Sequence, residues 1–450
     1  MEAEESMDER TFRRMEEKQK LYRKTMEQRE QAKIRKASRV VDEERRYVEA
    51  ARDSDRFQEE NDAWLGKVEA APTFYPTEEE FRDSMSYIRR IQQLVAPHYG
   101  ICKIVPPYVP SVPAGMVLNR EAGEDGKPFK FSTRMQHIKR MKWGHKEGQR
   151  VKFGQSTQNC TLDAYEKRAN DFQRRRYGCT ATLQPSMVEL EYWKQMASDT
   201  GCHVEYGNDV EGSAFSSIAT DPFTKGEWNL NHLPRVEKSS LRHLKDEIPG
   251  VTSPMLYIGM MFSTFAWHVE DHYLYSINYH HVGAPKTWYG VPAHGADGLE
   301  KVVRKHVYDK RMEDTEMGLD RHRTAFNELL GKTTMFSPAL LVAGDVPVCR
   351  VVQEPGTFVV TFPRAYHGGF SHGFNCGEAV NFSIADWLPY GADCSERYRL
   401  LRRLPVVPHE ELLCREAEII AWSGQGQGGA CAGAPPSPEL SEGRGAEGRG

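Results

Sequence analysis

The chain has 450 residues, 39% of them hydrophobic and 28% charged, with a formal net charge of −4. That length accommodates two or three domains, or one large domain with extensions. The near-neutral balance excludes a molecule that is uniformly an electrostatic glove for nucleic acid, and the lack of an 18-residue apolar run excludes a membrane-spanning helix.

Residues 1–70 are dominated by Glu, Arg, Lys, Gln and Met, and are expected to form a charged helical or disordered extension. The stretch KIRKASR, Lys33 to Arg39, reads as a basic patch on a solvated helix or as a nuclear import signal. The opening MEAEESMDERTFRRMEEKQK lacks the apolar segment of a secretory signal. Nine cysteines without a CxxC pair are expected as free thiols in a reducing compartment.

Over residues 71–113 the pattern changes. Thr77 with Glu80 three positions on forms a capping box ahead of an apolar run. Phe81, Met85, Ile88, Ile91 and Val95 follow at helical spacing, Pro97 ends the helix, and ICKIV reads as a strand. This strand-helix-strand piece is too small to hold a core alone and must pack on something else. Residues 114–200 are basic and weakly patterned, and are expected to be a helical linker. Its basic stretch 130–176 reads as a solvated face, with a phosphate- or DNA-facing patch as the alternative.

Residues 201–405 are rich in aromatic and β-branched residues, in runs such as TWYGV, GTFVVTF and AVNFSIADW. The fold expected is mainly β with flanking helices (α+β), built on a double-sheet jelly roll or cupin barrel. A helix is expected over 406–422 and a disordered Gly/Pro/Ser-rich tail over 423–450.

The chemistry concentrates in FAWHVEDHYLYSINYHHVGAPKTWYG, residues 265–290. His268 and Glu270, two apart on an expected strand, share a face. His367, placed just past a second strand, supplies a third candidate ligand. Two imidazoles and a carboxylate leave open coordination positions and suit non-heme Fe(II). A structural HxE pair is the bland reading. A zinc hydrolase is another, although its helical HExxH signature is absent. Asn278 and Lys286 fall on the next strand pair among aromatics, and a half-buried lysine there needs an anionic partner such as a dicarboxylate. His272, His280, His281 and His372 are expected in outer-sphere, surface or hydrogen-bonding roles.

TFYPTEEEFRDSMSYI with KIVPP resembles a JmjN segment. EYGNDVEGSAF, YIGMMFSTFAWHVEDHYLYSINYHHVGAPKTWYGVP and VVTFPRAYHGGFSHGFNCGEAVNF resemble a JmjC domain. Together they resemble the JmjN/JmjC histone lysine demethylases, plant members above all, over residues 71–113 and 200–415. The resemblance implies a nuclear Fe(II)- and 2-oxoglutarate-dependent dioxygenase that uses O2 to hydroxylate an N-methyl group, which then leaves as formaldehyde. His268, Glu270 and His367 match the iron ligands. Tyr206 and Lys286 match the residues on the distal carboxylate of 2-oxoglutarate, Asn278 one near its other carboxylate, and Phe265 an aromatic of that pocket. Gly250, Tyr257, Asn381 and Ala379 match positions around the methylated lysine. The implied partners are the methylated histone H3 tail, with lysine 9 ahead of lysine 27, and chromatin. The JmjN piece is then expected as a brace on the catalytic domain.

The sequence departs from some relatives in two places. A Cys3His zinc site is replaced by Ala325, Gly331, Arg397 and Arg399, so that zinc is expected to be missing. Two hydroxyl-bearing positions beside the methyl pocket read Ala379 and Val380. A JmjC side-chain hydroxylase and a non-catalytic chromatin scaffold are the alternatives. The JmjN segment speaks against the first and the intact ligand set against the second.

Overall fold

The computed structural model describes residues 64–120, 128–139, 154–198, 200–308 and 321–425. The Lys33–Arg39 stretch and most of the Gly-rich tail lie outside them. Among the described residues the strands, in chain order, are β1 (Glu69–Ala70), β2 (Thr73–Phe74), β3 (Ile101–Ile104), β4 (Lys130–Ile138), β5 (Gly154–Thr161), β6 (Cys202–Glu211), β7 (Met255–Gly259), β8 (Thr264–His268), β9 (Tyr275–Gly283), β10 (Lys286–Val291), β11 (Cys349–Gln353), β12 (Phe358–Thr361), β13 (Tyr366–Ser371) and β14 (Asn375–Phe382). The helices are α1 (Ser84–Val95), α2 (Ala114–Arg120), α3 (Leu162–Tyr177), α4 (Pro185–Ala197), α5 (Ala296–His306), α6 (Arg321–Leu329), α7 (Ala339–Ala343), α8 (Leu388–Leu400) and α9 (His409–Gln425).

The strands form two sheets, ordered β1-β11-β10-β13-β8 and β2-β3-β12-β9-β14-β7-β6-β4-β5. Such a pair of mixed sheets with helices outside is the expected jelly-roll architecture. Strand β9 shows why the sequence selects it. Tyr275, Ile277 and Tyr279 turn outward into a core with α1, Trp228 and Phe358, while Ser276 and Asn278 turn inward to a cavity. Both faces are covered, so the first six residues of β9 and all of β10, β12 and β13 are buried.

Residues 71–113 are fastened to both sheets. Strand β3 pairs antiparallel with β12, and β2 pairs parallel with β3. Just ahead of this segment, β1 lies along β11. Phe81 stacks on Trp228 at 4.4 Å, and the Trp228 indole N–H donates to the Phe81 carbonyl at 2.6 Å. Thr77 and Glu80 exchange the two hydrogen bonds of a capping box, 3.0 and 3.2 Å, but they cap a short 3-10 turn over Glu80–Arg82. The extended backbone of Asp83 interrupts the run, and Asp83 caps α1 itself through Ser86 N–H. Met85, Ile88, Ile91 and Val95 form its buried face as the spacing predicts.

The segment expected as a basic helical linker contains two strands as well as helices. Strand β4 joins β5 on one side and β6 on the other, extending the larger sheet. Alternation was present in KFSTRMQHI, where Phe131 and Thr133 are buried between exposed Lys130, Ser132 and Arg134. The exposed basic residues of that alternation, Lys130 and Arg134, gave it the look of a charged linker. Helices α3 and α4 bury Tyr165, Tyr192 and Trp193 in the main core. Arginines of α3 are largely paired: Arg168 with Glu205 at 3.0 Å, Arg174 with Asp171 at 2.6 Å, and Arg176 with Glu191 at 3.6 Å. Among the described residues, no helix is long and apolar enough to cross a membrane.

Candidate active site

A cavity of about 300 Å³ opens between the inner faces of the two sheets. The smaller sheet contributes His268 from β8, Lys286 and Trp288 from β10, and His367 from β13. The larger contributes Tyr206 from β6, Tyr257 from β7, Ser276 and Asn278 from β9, and Ala379 from β14.

His268 and His367 are direct partners in the β8–β13 register, with ring centres 4.2 Å apart. His367 follows β12 as expected and lies within the next strand, β13, whereas Glu270 lies beyond β8, where the chain enters a turn. The Glu270 Oε1 atom is 3.8 Å from His268 Nε2 and 3.3 Å from His367 Nε2. One ligand atom from each of the three lies within 4.8 Å of the others. Each imidazole has its Nδ1 against a backbone carbonyl two residues back, Ala266 O at 2.7 Å and Ala365 O at 3.1 Å. That contact makes Nδ1 the N–H donor and turns both Nε2 lone pairs toward the carboxylate. Three converging electron donors fit a divalent cation. Burial is the largest influence on His268 and lowers it to about 3, helped by the charges of His367 and Lys332. Burial opposes ionisation of Glu270, yet the contact with His367 and the charge of Lys332 hold its carboxyl well below the usual range. A neutral imidazole and an ionised carboxylate are the forms that ligate metal.

Lys286 lies on the cavity wall with 1% of its surface exposed. Its ammonium is 5.9 Å from the ring centre of Tyr206 and 6.0 Å from that of Phe265. Among the described residues no carboxylate pairs with it, and desolvation lowers it to about 8. The nearby Asn278 Oδ1 is also buried without a partner. An unpaired buried cation beside an unsatisfied amide leaves both groups waiting for a ligand. Tyr257 donates its hydroxyl to Asp209 Oδ1 at 3.2 Å on the wall of the same cavity.

Two expected pocket residues, Gly250 and Asn381, are not among the lining of this cavity, although Asn381 pairs in register with Ser276, which is. Gly250 is in a turn at φ +79°, and its carbonyl accepts the Asn381 N–H at 2.9 Å. The Asn381 side chain donates to Tyr275 O at 3.0 Å, and neither residue lines the cavity. Cavity residues that sequence reasoning passed over are Arg134, Gln136, Asp209 and Lys332. The alternation of β4 puts Arg134 on its exposed side with Lys130 and Ser132, so it gave no signal for a place in the cavity. Asp209 stands within the EYGNDVEG motif, three residues past Tyr206.

The other histidines are accounted for individually. His372 shares a 2.7 Å hydrogen bond with Thr287, and His281 one of 2.8 Å with Glu378. His272 and His280 are fully buried rather than at the surface. Of the positions where the resemblance leads one to expect no zinc site, Arg397 forms a bidentate pair with Glu300 at 2.9 and 2.7 Å, and Arg399 pairs with Glu396.

Residues 255–382 match the family model described as JmjC domain, hydroxylase, and residues 72–106 match the jmjN domain. The chain is 52% identical over 372 residues to lysine-specific demethylase JMJ706 of Oryza sativa subsp. japonica, covering 83% of this chain and 42% of that protein. The chain belongs to the family of proteins that carry a jmjN and a JmjC domain. It is 40% identical over 383 residues to lysine-specific demethylase REF6 of Arabidopsis thaliana, covering 78% of this chain and 27% of that one. This JmjN/JmjC chain thus spans less than half the length of these relatives. The JmjC match contains His268, Glu270, Asn278, Lys286 and His367, whereas Tyr206 reaches the cavity from β6, outside it. Residues 386–421 match the model described as Lysine-specific demethylase 5, C-terminal helical domain, which takes in α8 and most of α9.

Proposed function

We propose that this chain is an Fe(II)- and 2-oxoglutarate-dependent histone H3 lysine demethylase acting on chromatin in the nucleus. Methylated lysine 9 is the first substrate to test and lysine 27 the next. The observation that carries this reading is the pairing, in one cavity, of the His268–Glu270–His367 donor set with an unpaired buried Lys286.

His268, Glu270 and His367 would hold the Fe(II). The bound metal supplies activation of O2, so that 2-oxoglutarate is oxidised to succinate and CO2 while the second oxygen atom hydroxylates the N-methyl carbon. The resulting hemiaminal releases formaldehyde and the amine with one methyl fewer. No nitrogen lone pair is consumed, so trimethyl-lysine is an admissible substrate.

The chain's own residues bind and orient. Lys286 meets the distal carboxylate of 2-oxoglutarate with its ammonium, alongside the Tyr206 hydroxyl, and supplies the charge that burial otherwise leaves uncompensated. Asn278 offers its side-chain amide near the other carboxylate. Phe265 and Trp288, with ring centres 4.4 Å apart, exclude water from that end. Tyr257 and Ala379 line the space for the methylammonium, and Asp209 orients the Tyr257 hydroxyl.

The deciding experiment incubates trimethylated H3 peptides with the chain, Fe(II), ascorbate and 2-oxoglutarate, and reads products by mass spectrometry. Loss of a methyl mass that vanishes in His268→Ala is the expected result. No loss from any peptide, despite bound metal and 2-oxoglutarate, would favour a chromatin scaffold instead.

A further inference from the structure

Glu270 is followed by a turn whose backbone is held under strain. His272 (φ 56°) and Tyr273 (φ 54°) are consecutive non-glycine residues in the left-handed region, an arrangement that persists only when its surroundings over-determine it. The surroundings come chiefly from α8 and the residue before it. Trp387 donates its indole N–H to the His272 carbonyl at 3.0 Å, and the His272 backbone N–H donates to the Tyr398 hydroxyl at 3.2 Å. His272 Nε2 lies 2.8 Å from Ser395 Oγ. Ser395 commits its own proton to Gly391 O at 2.9 Å, so His272 is the donor in that bond. Arg397 donates to the Tyr273 hydroxyl at 2.8 Å.

The same arginine reaches the other ligand segment. Arg397 chelates Glu300 of α5 and covers the Phe326 ring of α6 at 3.7 Å. Glu300 is 1% exposed and also accepts the Tyr366 hydroxyl at 3.0 Å. Tyr366 immediately precedes His367 on β13, with its side chain on the opposite face. One buried ion pair therefore bonds to tyrosines flanking both Glu270 and His367.

We propose that α8 is a positioning clamp for the metal ligands, setting Glu270 through the left-handed His272–Tyr273 turn and His367 through Glu300 and Tyr366. Arg397 and Ser395 are positioning residues, since neither touches the donor atoms. The clamp rests on the reading of His268, Glu270 and His367 as metal ligands. It assigns the helical segment after the JmjC match a direct part in site geometry.

The test titrates the full chain with Co(II) alone, following its visible absorption, and records thermal melting separately. Removing only one partner of the buried pair would strand a charge, so Arg397→Met is combined with Glu300→Gln. A second variant combines Ser395→Ala with Tyr398→Phe. The expected result is Co(II) affinity about tenfold weaker in each folded variant, with a shifted visible spectrum. A role confined to stability would lower the melting temperature and leave spectrum and affinity unchanged, which would overturn the clamp. Should the first variant fail to fold, the second decides alone. Failure of the unsubstituted chain to bind Co(II) would instead overturn the metal-site reading, and the clamp with it.

Discussion

The Lys286 ammonium and the Tyr206 ring lie 5.9 Å apart, brought together from opposite sheets on the wall of one cavity. The lysine has been stripped of water without receiving a counter-ion from the described residues, and that imbalance has measurable consequences.

The first is in pH dependence. Burial lowers Lys286 from 10.5 to about 8. Below that pH the folded chain carries the ammonium that a dicarboxylate requires, and above it the proton is lost. The dissociation constant of 2-oxoglutarate should therefore climb above pH 8, approaching about tenfold per pH unit. Calorimetric titration at pH 7, 8 and 9 with Mn(II) in place of Fe(II) measures it. A flat profile would show that Lys286 does not meet the carboxylate.

The second concerns stability without co-substrate. Between about 8 and 10.5 the unfolded chain binds a proton on this lysine that the folded chain does not, so unfolding free energy should rise with pH in that window. Lys286→Met should flatten the rise and abolish 2-oxoglutarate binding. At pH 7 it should stabilise the chain by about 1–4 kcal/mol in denaturant titrations.

The pocket position Ala379 gives a third. Ala379 lines the cavity, whereas the adjacent Val380 turns into the core around Trp228 and Phe358. A hydroxyl at Val380 would thus not reach substrate. Ala379→Ser should shift turnover from trimethyl- toward dimethyl-lysine by about fivefold, since only the dimethylammonium retains an N–H to donate. Product ratios from competing peptides check the direction, and an unchanged ratio would place the methyl groups elsewhere.

The brace supplies a fourth. Phe81 stacks on Trp228 and packs against Tyr108, Phe223 and Phe358. Phe81→Ala should cost about 3–5 kcal/mol. Unfolding in urea should keep a single transition, because β3 is paired to β12 and cannot melt independently. Two separated transitions would mean that the segment folds apart from the sheets.

Much of the site was legible because its chemistry is local. His268 with Glu270, and Lys286 among aromatics, mark out a candidate metal and anion site within one short stretch of chain. The inward turn of Ser276 and Asn278 follows from alternation along β9. The β4 contribution was hidden, because exposed Lys130 and Arg134 gave a strand the look of a solvated linker. Capping chemistry was read correctly at Thr77 and Glu80, but only the backbone break at Asp83 separates that turn from α1.

The sequence by itself determined the residue types and their alternation, and hence a two-sheet fold with a His/Glu/His set and a lysine set among aromatics. Tertiary structure alone decided which distant groups meet. It paired His268 with His367, left Lys286 without a counter-ion among the described residues, and brought Arg397 and Glu300 behind the segments that carry Glu270 and His367. Period-two alternation along a strand specifies which face a side chain takes, but the register between strands far apart in sequence depends on how the whole core packs.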